Sequence, residues 1–436
     1  MRFEFRNVGK VSHATIDLLG LNVIAGVNDS GKSTIGKTIF ALIKALNTTK
    51  EAYFKEAEKK SLQKFLQIYF VLRHSSKSRK ILAENASLFA PEIFLEEINA
   101  VAKYDFPIST VVSKRQKIIE KMPLSSRDRE KVLGNLSQLE DLFSCQITHK
   151  EIIVEAVKNF MASEFKSQIN NASQGKESEI KIFLNNRLSY CFTFVNNKLS
   201  SVQIPSETSL SPIEIKDVTF IESPVFLPLI DVLRDLDSFQ TSATPWSAQY
   251  GPLHLKDFAL KMLSLRFATK KPFISNWENK IEDIISGKFI FDDDTENLFF
   301  QKNGTHLNTI NTAIGVRSFG ILDILNRVGV INPSSMLIID EPETHLHPEW
   351  QLKYAQLLVE LACADIPVLV TSHSPYMIEA LRFWAAAQKI LSRTHFYLAE
   401  KQDNPFCDMK ELKGNLEPVF EALARPLHQL LMGKFK

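Results

Sequence analysis

Three groups of residues in this chain have the types and spacing for phosphate chemistry. The first is Gly26-Val27-Asn28-Asp29-Ser30-Gly31-Lys32-Ser33-Thr34, which matches G-x-x-x-x-G-K-[ST] in full. It follows the apolar run Leu21–Ala25 and precedes helical spacing of Ile35, Thr38, Ile39, Leu42 and Ile43. Strand, glycine loop and helix turn such a pattern into a phosphate cradle, because successive backbone N–H groups converge on an anion at the positive end of a helix. Asn28, Asp29, Ser30, Gly31, Lys32, Ser33 and Thr34 then form the binding segment. Lys32 reaches the terminal phosphates, and the Ser33 hydroxyl ligands Mg2+.

The second group is Met336-Leu337-Ile338-Ile339-Asp340-Glu341, a buried strand that ends abruptly in two carboxylates. At the carboxyl end of a parallel strand, Asp340 faces the phosphate loop and holds Mg2+ through Ser33 or water. Glu341 is then placed as base or orienter for an attacking water. The segment continues as Pro342-Glu343-Thr344-His345-Leu346-His347-Pro348. The third group is the strand Val368–Thr371 running into Ser372-His373-Ser374-Pro375, where His373 can donate to a γ-phosphate or the water beside it.

These residues need a frame. Met1–Asn7 and Ser12–Leu18 alternate as an antiparallel pair would, and Leu21–Ala25 reads as a buried strand. Residues 50–172 carry helical spacing without sustained heptads, with helices expected at Lys50–Leu72, Ala90–Ala102, Val111–Lys121 and Ser137–Phe165. Asn171–Lys176 reads as a linker. Glu179–Leu184, Leu188–Val195 and Leu199–Ile204 follow as a small sheet. The pairs Asn185-Asn186 and Asn196-Asn197 between them tolerate the positive φ of tight hairpins. After the short strand Val218–Ile221 come a helical stretch over Val225–Ser286 and a hairpin of Lys288–Asp292 and Asn297–Gln301. From Thr312 the chain alternates helix and strand, which means a mostly parallel sheet with helices on both faces. The α/β head is therefore split around a large helical insertion. We expect its N-terminal part at 1–48, the insertion at 49–178, the small antiparallel sheet and lobe junction at 179–224, a helical arm and hairpin at 225–310, and the remainder of the head at 311–436.

Bulk properties narrow the field. At 436 residues the chain is long for one core, and 44% hydrophobic with 23% charged residues is ordinary for a globular protein. A net charge of +2 implies neither a polyanion nor an acidic ligand. No apolar run approaches the ~20 residues that span a bilayer, and Met1–Arg6 lacks a signal peptide's apolar core. The four cysteines, Cys145, Cys191, Cys363 and Cys407, show no C-x-x-C spacing. A reduced cytoplasm, without zinc or a disulfide framework, is the expectation.

The string Asp340–Pro348, with Thr371–Ser374 and Gly26–Thr34, resembles the ABC-type ATPases of the OLD and RecF/SMC-like group over about residues 1–48 and 180–436. The resemblance implies ATP and Mg2+ bound at an interface between two heads facing in opposite directions. It carries phosphate binding to Lys32, the metal to Ser33 and Asp340, the catalytic carboxylate to Glu341 and the switch histidine to His373. Leu346-His347 takes the segment that crosses the interface. The signature segment supplied by the opposite head is Asn311–Gly320, with Gly315 meeting the γ-phosphate. Related proteins carry serine before that glycine, whereas here it is Ile314. Thr312 or Ser318 could substitute, and the departure predicts slow hydrolysis. At the lobe junction Glu222 stands where the family has glutamine.

OLD-like proteins often append a metal-dependent nuclease, but only about sixty residues follow His373, too few for one. Ile152–Glu155 and Asp235-Leu236-Asp237 mimic its motifs within helical patterns, and Asp292-Asp293-Asp294 reads as a solvated turn. Arg73–Lys80 and Lys114-Arg115-Gln116-Lys117 are read as solvated helical faces, or alternatively as a nucleic-acid surface. Lacking its own nuclease, the chain most resembles the ATPase subunit (PtuA type) of Septu or retron-associated phage-defence systems. The implied function is an ATP-driven sensor or regulator, paired through its heads, that controls a separately encoded nuclease. Nucleic acid would be met through that effector or the insertion. Two alternatives stay open: a RecF/SMC-like DNA-repair ATPase, and a non-hydrolysing ATP-bound scaffold that holds an effector silent.

Overall fold

The computed structural model describes residues 1–432 except 76–77, 105–107, 143–147, 167, 171–176, 205–212, 231–250, 269–270, 293, 296 and 403–405; it does not describe the side chains of 50–57, 59–60, 99, 101–104 and 140–142. The expected linker Asn171–Lys176, the Asp235–Asp237 mimic, Cys145 and Asp293 lie outside the described residues. The rest falls into two compact units, a smaller one drawn from residues 48–156 and a larger one from 1–47, 157–230 and 251–432.

The larger unit is organised by one sheet of eleven strands. These are β1 (Arg2–Val8), β2 (Val11–Asp17), β3 (Leu21–Ala25), β4 (Ser178–Leu184), β5 (Arg187–Val195), β6 (Lys198–Gln203), β7 (Asp217–Ile221), β11 (Ser335–Asp340), β12 (Val368–Ser372), β13 (Thr394–Lys401) and β14 (Cys407–Leu412). Their order is β6-β5-β4-β1-β2-β14-β13-β3-β12-β11-β7. The run β13-β3-β12-β11-β7 is parallel throughout, and β3, β12 and most of β11 are buried, as strands covered on both faces are. The small antiparallel set expected from the asparagine hairpins is present. It is continuous with the main sheet, β4 pairing with β1. Asn185, Asn186, Asn196 and Asn197 all have positive φ, between 50° and 62°, as two-residue hairpins of the primed type require.

Strand β14 joins the two halves, pairing antiparallel with β13 and parallel with β2. No strand was expected there from the residue pattern. A separate antiparallel sheet is made by β8 (Lys288–Asp292), β9 (Asn297–Lys302) and β10 (Thr305–Asn308). Helix α1 (Lys32–Leu46) packs on the parallel block with eleven buried residues. The helical stretch expected over 225–286 contains a 3-10 turn at Pro224–Leu229, a helix at Leu253–Leu263 continued by a 3-10 turn at Ser264–Phe267, and another helix at Trp277–Ile285, with 231–250 outside the described residues. Pro228, inside the element, removes a backbone donor, which favours the tight turn over a regular helix.

The smaller unit is helical, and the helix expected at Ser137–Phe165 is instead two, Ser126–Leu142 and His149–Phe165. Its core gathers Phe65, Phe94, Ile98, Val112, Ile119 and Leu136. Arg115 belongs to that core, correcting both readings of the Lys114–Lys117 cluster at this position. Its side chain is 1% exposed, pairs with Glu97 at 2.7 Å, and lies over the stacked rings of Phe65 and Phe94. Among the described residues no helix is long and apolar enough to cross a membrane.

Candidate functional site

The phosphate-loop pattern folds as strand, loop and helix between β3 and α1. Gly31, the residue before the helix, has φ 82°, and a Cβ there would come within 2.9 Å of Val11, so glycine is required on both counts. Asp29 also adopts positive φ and pairs with Lys10 from the β1–β2 turn. Ser30 closes the loop by donating to the Val27 carbonyl at 2.8 Å. The Lys32 amine, buried, is folded onto the loop and donates to the carbonyls of Gly26 (3.0 Å) and Val27 (2.9 Å). An open cleft of about 920 Å3 is lined by Asn28 through Thr34 and Glu341, together with Gly9, Lys10, Phe165, Gln168, Asn170, Asn197 and Phe406.

The ends of three adjacent parallel strands bring the second and third groups of residues to this loop. Asp340 ends β11, and Thr371 lies beside it on β12. The Thr371 hydroxyl donates to Asp340 and accepts the Glu341 backbone N–H at 3.1 Å, so one side chain holds the Asp340 carboxylate and the Glu341 backbone. Glu341 has φ 48°, a left-handed conformation that costs a residue with a Cβ about 1–2 kcal/mol. Its N–H bonds to Thr371 hold it there. The Glu341 carboxylate then lies 3.6 Å from the Lys32 amine and 3.3 Å from His373 Nδ1.

Burial raises the Asp340 pKa. Hydrogen bonds from Thr371 and Ser33 oppose this, while the nearby charges of Glu341 and Glu222 add to it. A buried carboxylate crowded by two others and hydrogen-bonded to the loop serine is a donor set that a hard cation would relieve. Among the described residues no three His, Cys, Asp or Glu side chains converge to hold a metal by themselves. Such an ion would be completed by phosphate oxygens and water, the usual condition of Mg2+.

Several residues that organise the site were not singled out from sequence. Glu343 is buried, and one oxygen accepts from the Ser372 hydroxyl (2.8 Å), the His373 N–H (2.6 Å) and the Ser374 N–H (3.1 Å). It ties the loop after β12 to the loop after β11. Ser374 continues the network by donating to Gln351 (2.6 Å), whose amide donates to the Leu346 carbonyl (3.0 Å). The D-E-P-E string held the signal for Glu343, and T-S-H-S the signal for Thr371.

Glu222 immediately follows β7. Lys37 of α1 donates to one of its oxygens at 2.6 Å and the other lies 3.2 Å from His254 Nε2. Burial favours its neutral form, but the hydrogen bonds from His254 and Lys37 win and pull its pKa down to about 2.

Gly315 is not among the residues that line the cleft. The helix that carries it begins at Ile314, after Ala313, with no side-chain cap. A Cβ on Gly315 would lie 3.0 Å from Trp350 and 3.1 Å from Leu346, so close packing on the segment after β11 already calls for glycine. Neither suggested substitute for the missing serine is free. The Thr312 hydroxyl donates to the Thr309 carbonyl at 2.7 Å and accepts from Arg317 at 3.2 Å, and the Ser318 hydroxyl donates to the Ile314 carbonyl.

A phosphate loop ahead of a helix, with carboxylates ending the next strand but one in the same parallel block, defines a P-loop nucleotide-binding head. Residues 1–378 match the AAA ATPase domain family, and the chain belongs to it. Two curated relatives are similar over shorter stretches. The Retron Vc95 probable ATPase of Vibrio cholerae serotype O1 biovar El Tor is 30% identical over 117 residues, covering 24% of this chain and 22% of that protein. The Retron Ec83 probable ATPase of Escherichia coli is 31% identical over 100 residues, covering 20% of this chain and 18% of that protein. The similarity thus spans about a fifth of either relative's length. Among solved structures, an Smc head domain with an extended coiled coil, bound to the C-terminal domain of ScpA and derived from Pyrococcus furiosus, is 10% identical. It covers 97% of this chain and 98% of that one, with a TM-score of 0.41. The SMC head domain from Thermotoga maritima is 9% identical, with coverages of 94% and 98% and a TM-score of 0.37.

Proposed function

We propose that this protein binds and slowly hydrolyses ATP at paired heads, and that it regulates a separately encoded nuclease in a prokaryotic two-component phage-defence system. The observation that carries the nucleotide chemistry is the convergence of Lys32, after β3, with Asp340 and Glu341, at the end of β11, across the intervening strand β12. Lys32 would exchange its two loop carbonyls for phosphate oxygens. Ser33 and Asp340 would hold Mg2+, which neutralises phosphate charge when bound. Glu341, aimed by its left-handed backbone, would accept a hydrogen bond from the attacking water, with His373 at its flank. The names of the two retron relatives support the defence setting.

One observation favours a second reading, a non-hydrolysing scaffold. With Ile314 in the serine's place and the Thr312 and Ser318 hydroxyls bonded within their own head, a partner's phosphate would meet only backbone N–H groups. Losing one such donor costs about 2.7–4 kcal/mol of transition-state stabilisation.

Calorimetric titration with Mg·ATP tests the site: Lys32→Ala should abolish binding, and unchanged affinity would refute the assignment. Glu341→Gln should still bind and should accumulate an ATP-bound dimer on size exclusion. Phosphate release by wild type separates the two readings. Release that Ile314→Ser accelerates supports slow hydrolysis, and no release even with the product of the neighbouring gene bound supports the scaffold. Nuclease activity from the pure chain alone would overturn the two-component reading.

A further inference from the structure

A chain of charged groups, buried at Glu164 and His254 and part-buried at Glu222 and Lys37, lies in the larger unit, and the ATP chemistry above makes no use of it. Glu164 accepts the His254 backbone N–H at 3.0 Å with one oxygen and meets His254 Nδ1 at 2.5 Å with the other. His254 Nε2 faces Glu222, and Lys37 holds that carboxylate's second oxygen. The side chains of His254 and Glu164 are 0% exposed. Charges so placed are costly to desolvate and rarely improve on well-packed apolar residues, so stability alone is a poor account of them. What they do is fix an imidazole by both ring nitrogens, and through it the carboxylate of Glu222.

The register of the sheet says what Glu222 is fixed against. Strands β7 and β11 run parallel with Ile221 opposite Ile339, so Glu222 and Asp340 are the next pair along. Neighbouring strands lie about 4.8 Å apart. On α1, Ser33 and Lys37 are one helical turn apart and face the same side. Ser33 bonds to Asp340 and Lys37 to Glu222. Two acidic residues in register therefore meet two α1 side chains in register, the first pair at the proposed cation position.

We propose that His254 and Glu164 are positioning residues that aim Glu222 at the cation side of the nucleotide site, so that its charge adds to that of Asp340 where Mg2+ binds. This rests on the Mg·nucleotide reading above. Without His254, Lys37 is the remaining partner of Glu222 among the described residues, and the carboxylate can turn about that contact.

The test is the gain in affinity for a fluorescent ATP analogue on replacing EDTA by Mg2+, measured on the full chain. His254→Gln should reduce the gain about tenfold while leaving affinity in EDTA unchanged. Glu222→Gln should reduce the gain to a similar extent, and adding His254→Gln to it should reduce the gain no further, because the two act as one unit. Glu164→Gln, which keeps shape and the contact to the His254 N–H, is the milder variant should His254→Gln fail to fold, and it should lose part of the gain. Equal losses in both buffers, an undiminished gain, or additive effects of the His254 and Glu222 substitutions would overturn the inference and leave the nucleotide reading standing. A wild-type chain that binds nucleotide in neither buffer would remove both.

Discussion

Glu343 offers the sharpest test of how the site is held together. Replacing it with alanine removes the acceptor of two backbone N–H groups and one hydroxyl in a buried setting. A hydrogen bond to a charged acceptor is worth about 1.5–3 kcal/mol, and a donor left buried and unpaired loses about 1–3 kcal/mol. Water entering the vacated space recovers part of this. The local loss should therefore be about 3–5 kcal/mol, the range seen when one member of a buried charged network is deleted. At 1.4 kcal/mol per factor of ten, that is roughly a hundredfold to a few thousandfold. Native-state hydrogen exchange over 372–375 reads it directly, since the His373 and Ser374 amides are the donors concerned. Glutamine is the informative control. Among the described residues no side chain bonds to the second Glu343 oxygen, so an amide nitrogen placed there leaves the three bonds to the first oxygen intact. Glu343→Gln should cost only about 1 kcal/mol and accelerate exchange less than tenfold. If alanine leaves protection unchanged, or glutamine loses as much as alanine, Glu343 does not hold the histidine loop.

Two further outcomes follow from packing and burial. Gly320→Ala places a Cβ 2.1 Å from the Phe289 ring and should destabilise the protein by about 1–3 kcal/mol in thermal denaturation; Phe289→Leu should restore part of the loss, and an unchanged melting midpoint would refute the contact. Asp323 is 3% exposed, and burial, only partly offset by Arg327, lifts its pKa from 3.8 to about 6. A raised carboxyl pKa means stability present below about pH 4 and lost as pH rises through about 6, a loss of roughly 3 kcal/mol for two units. Asp323→Asn should therefore melt above wild type near about pH 8, by less than that figure because Arg327 loses its ion pair, with the gap closing toward about pH 4; parallel pH curves would refute the assignment.

What the sequence disclosed was what is local. The phosphate loop, the carboxylates ending β11 and the histidine after β12 each lie within a few residues of a buried apolar strand, and the asparagine pairs carry their own turn chemistry. Strand β14 was hidden because Cys407–Leu412 interleaves three charged residues with its apolar ones and becomes a strand only by pairing with β13 and β2. Strand β10 is exposed at all four residues and has no core-facing pattern to read. Arg115 defeated a charge-based reading because Val111, Val112 and Ile119 carry it into the helical core beneath two phenylalanine rings. Glu222 was marked by its place at the lobe junction, but Glu164 and His254 are brought to it only by the tertiary fold, so no spacing announced them.

The strand order has a consequence for synthesis. Strand β3, which carries the phosphate loop, is flanked by β12 and β13, drawn from residues 368–401, and β2 takes β14, from residues 407–412, as a neighbour. As the chain leaves the ribosome, the β1–β2 hairpin and the helical unit can form early from nearby residues. The apolar segment Leu21–Ala25 has neither lateral partner until most of the chain has been made. Non-local pairing of this kind is slow, and unpaired strand edges expose an intermediate to aggregation. Nucleotide binding should thus be among the last properties the nascent chain acquires, and a ribosome stalled short of β12 should present a loop with the right residues and no sheet to hold it.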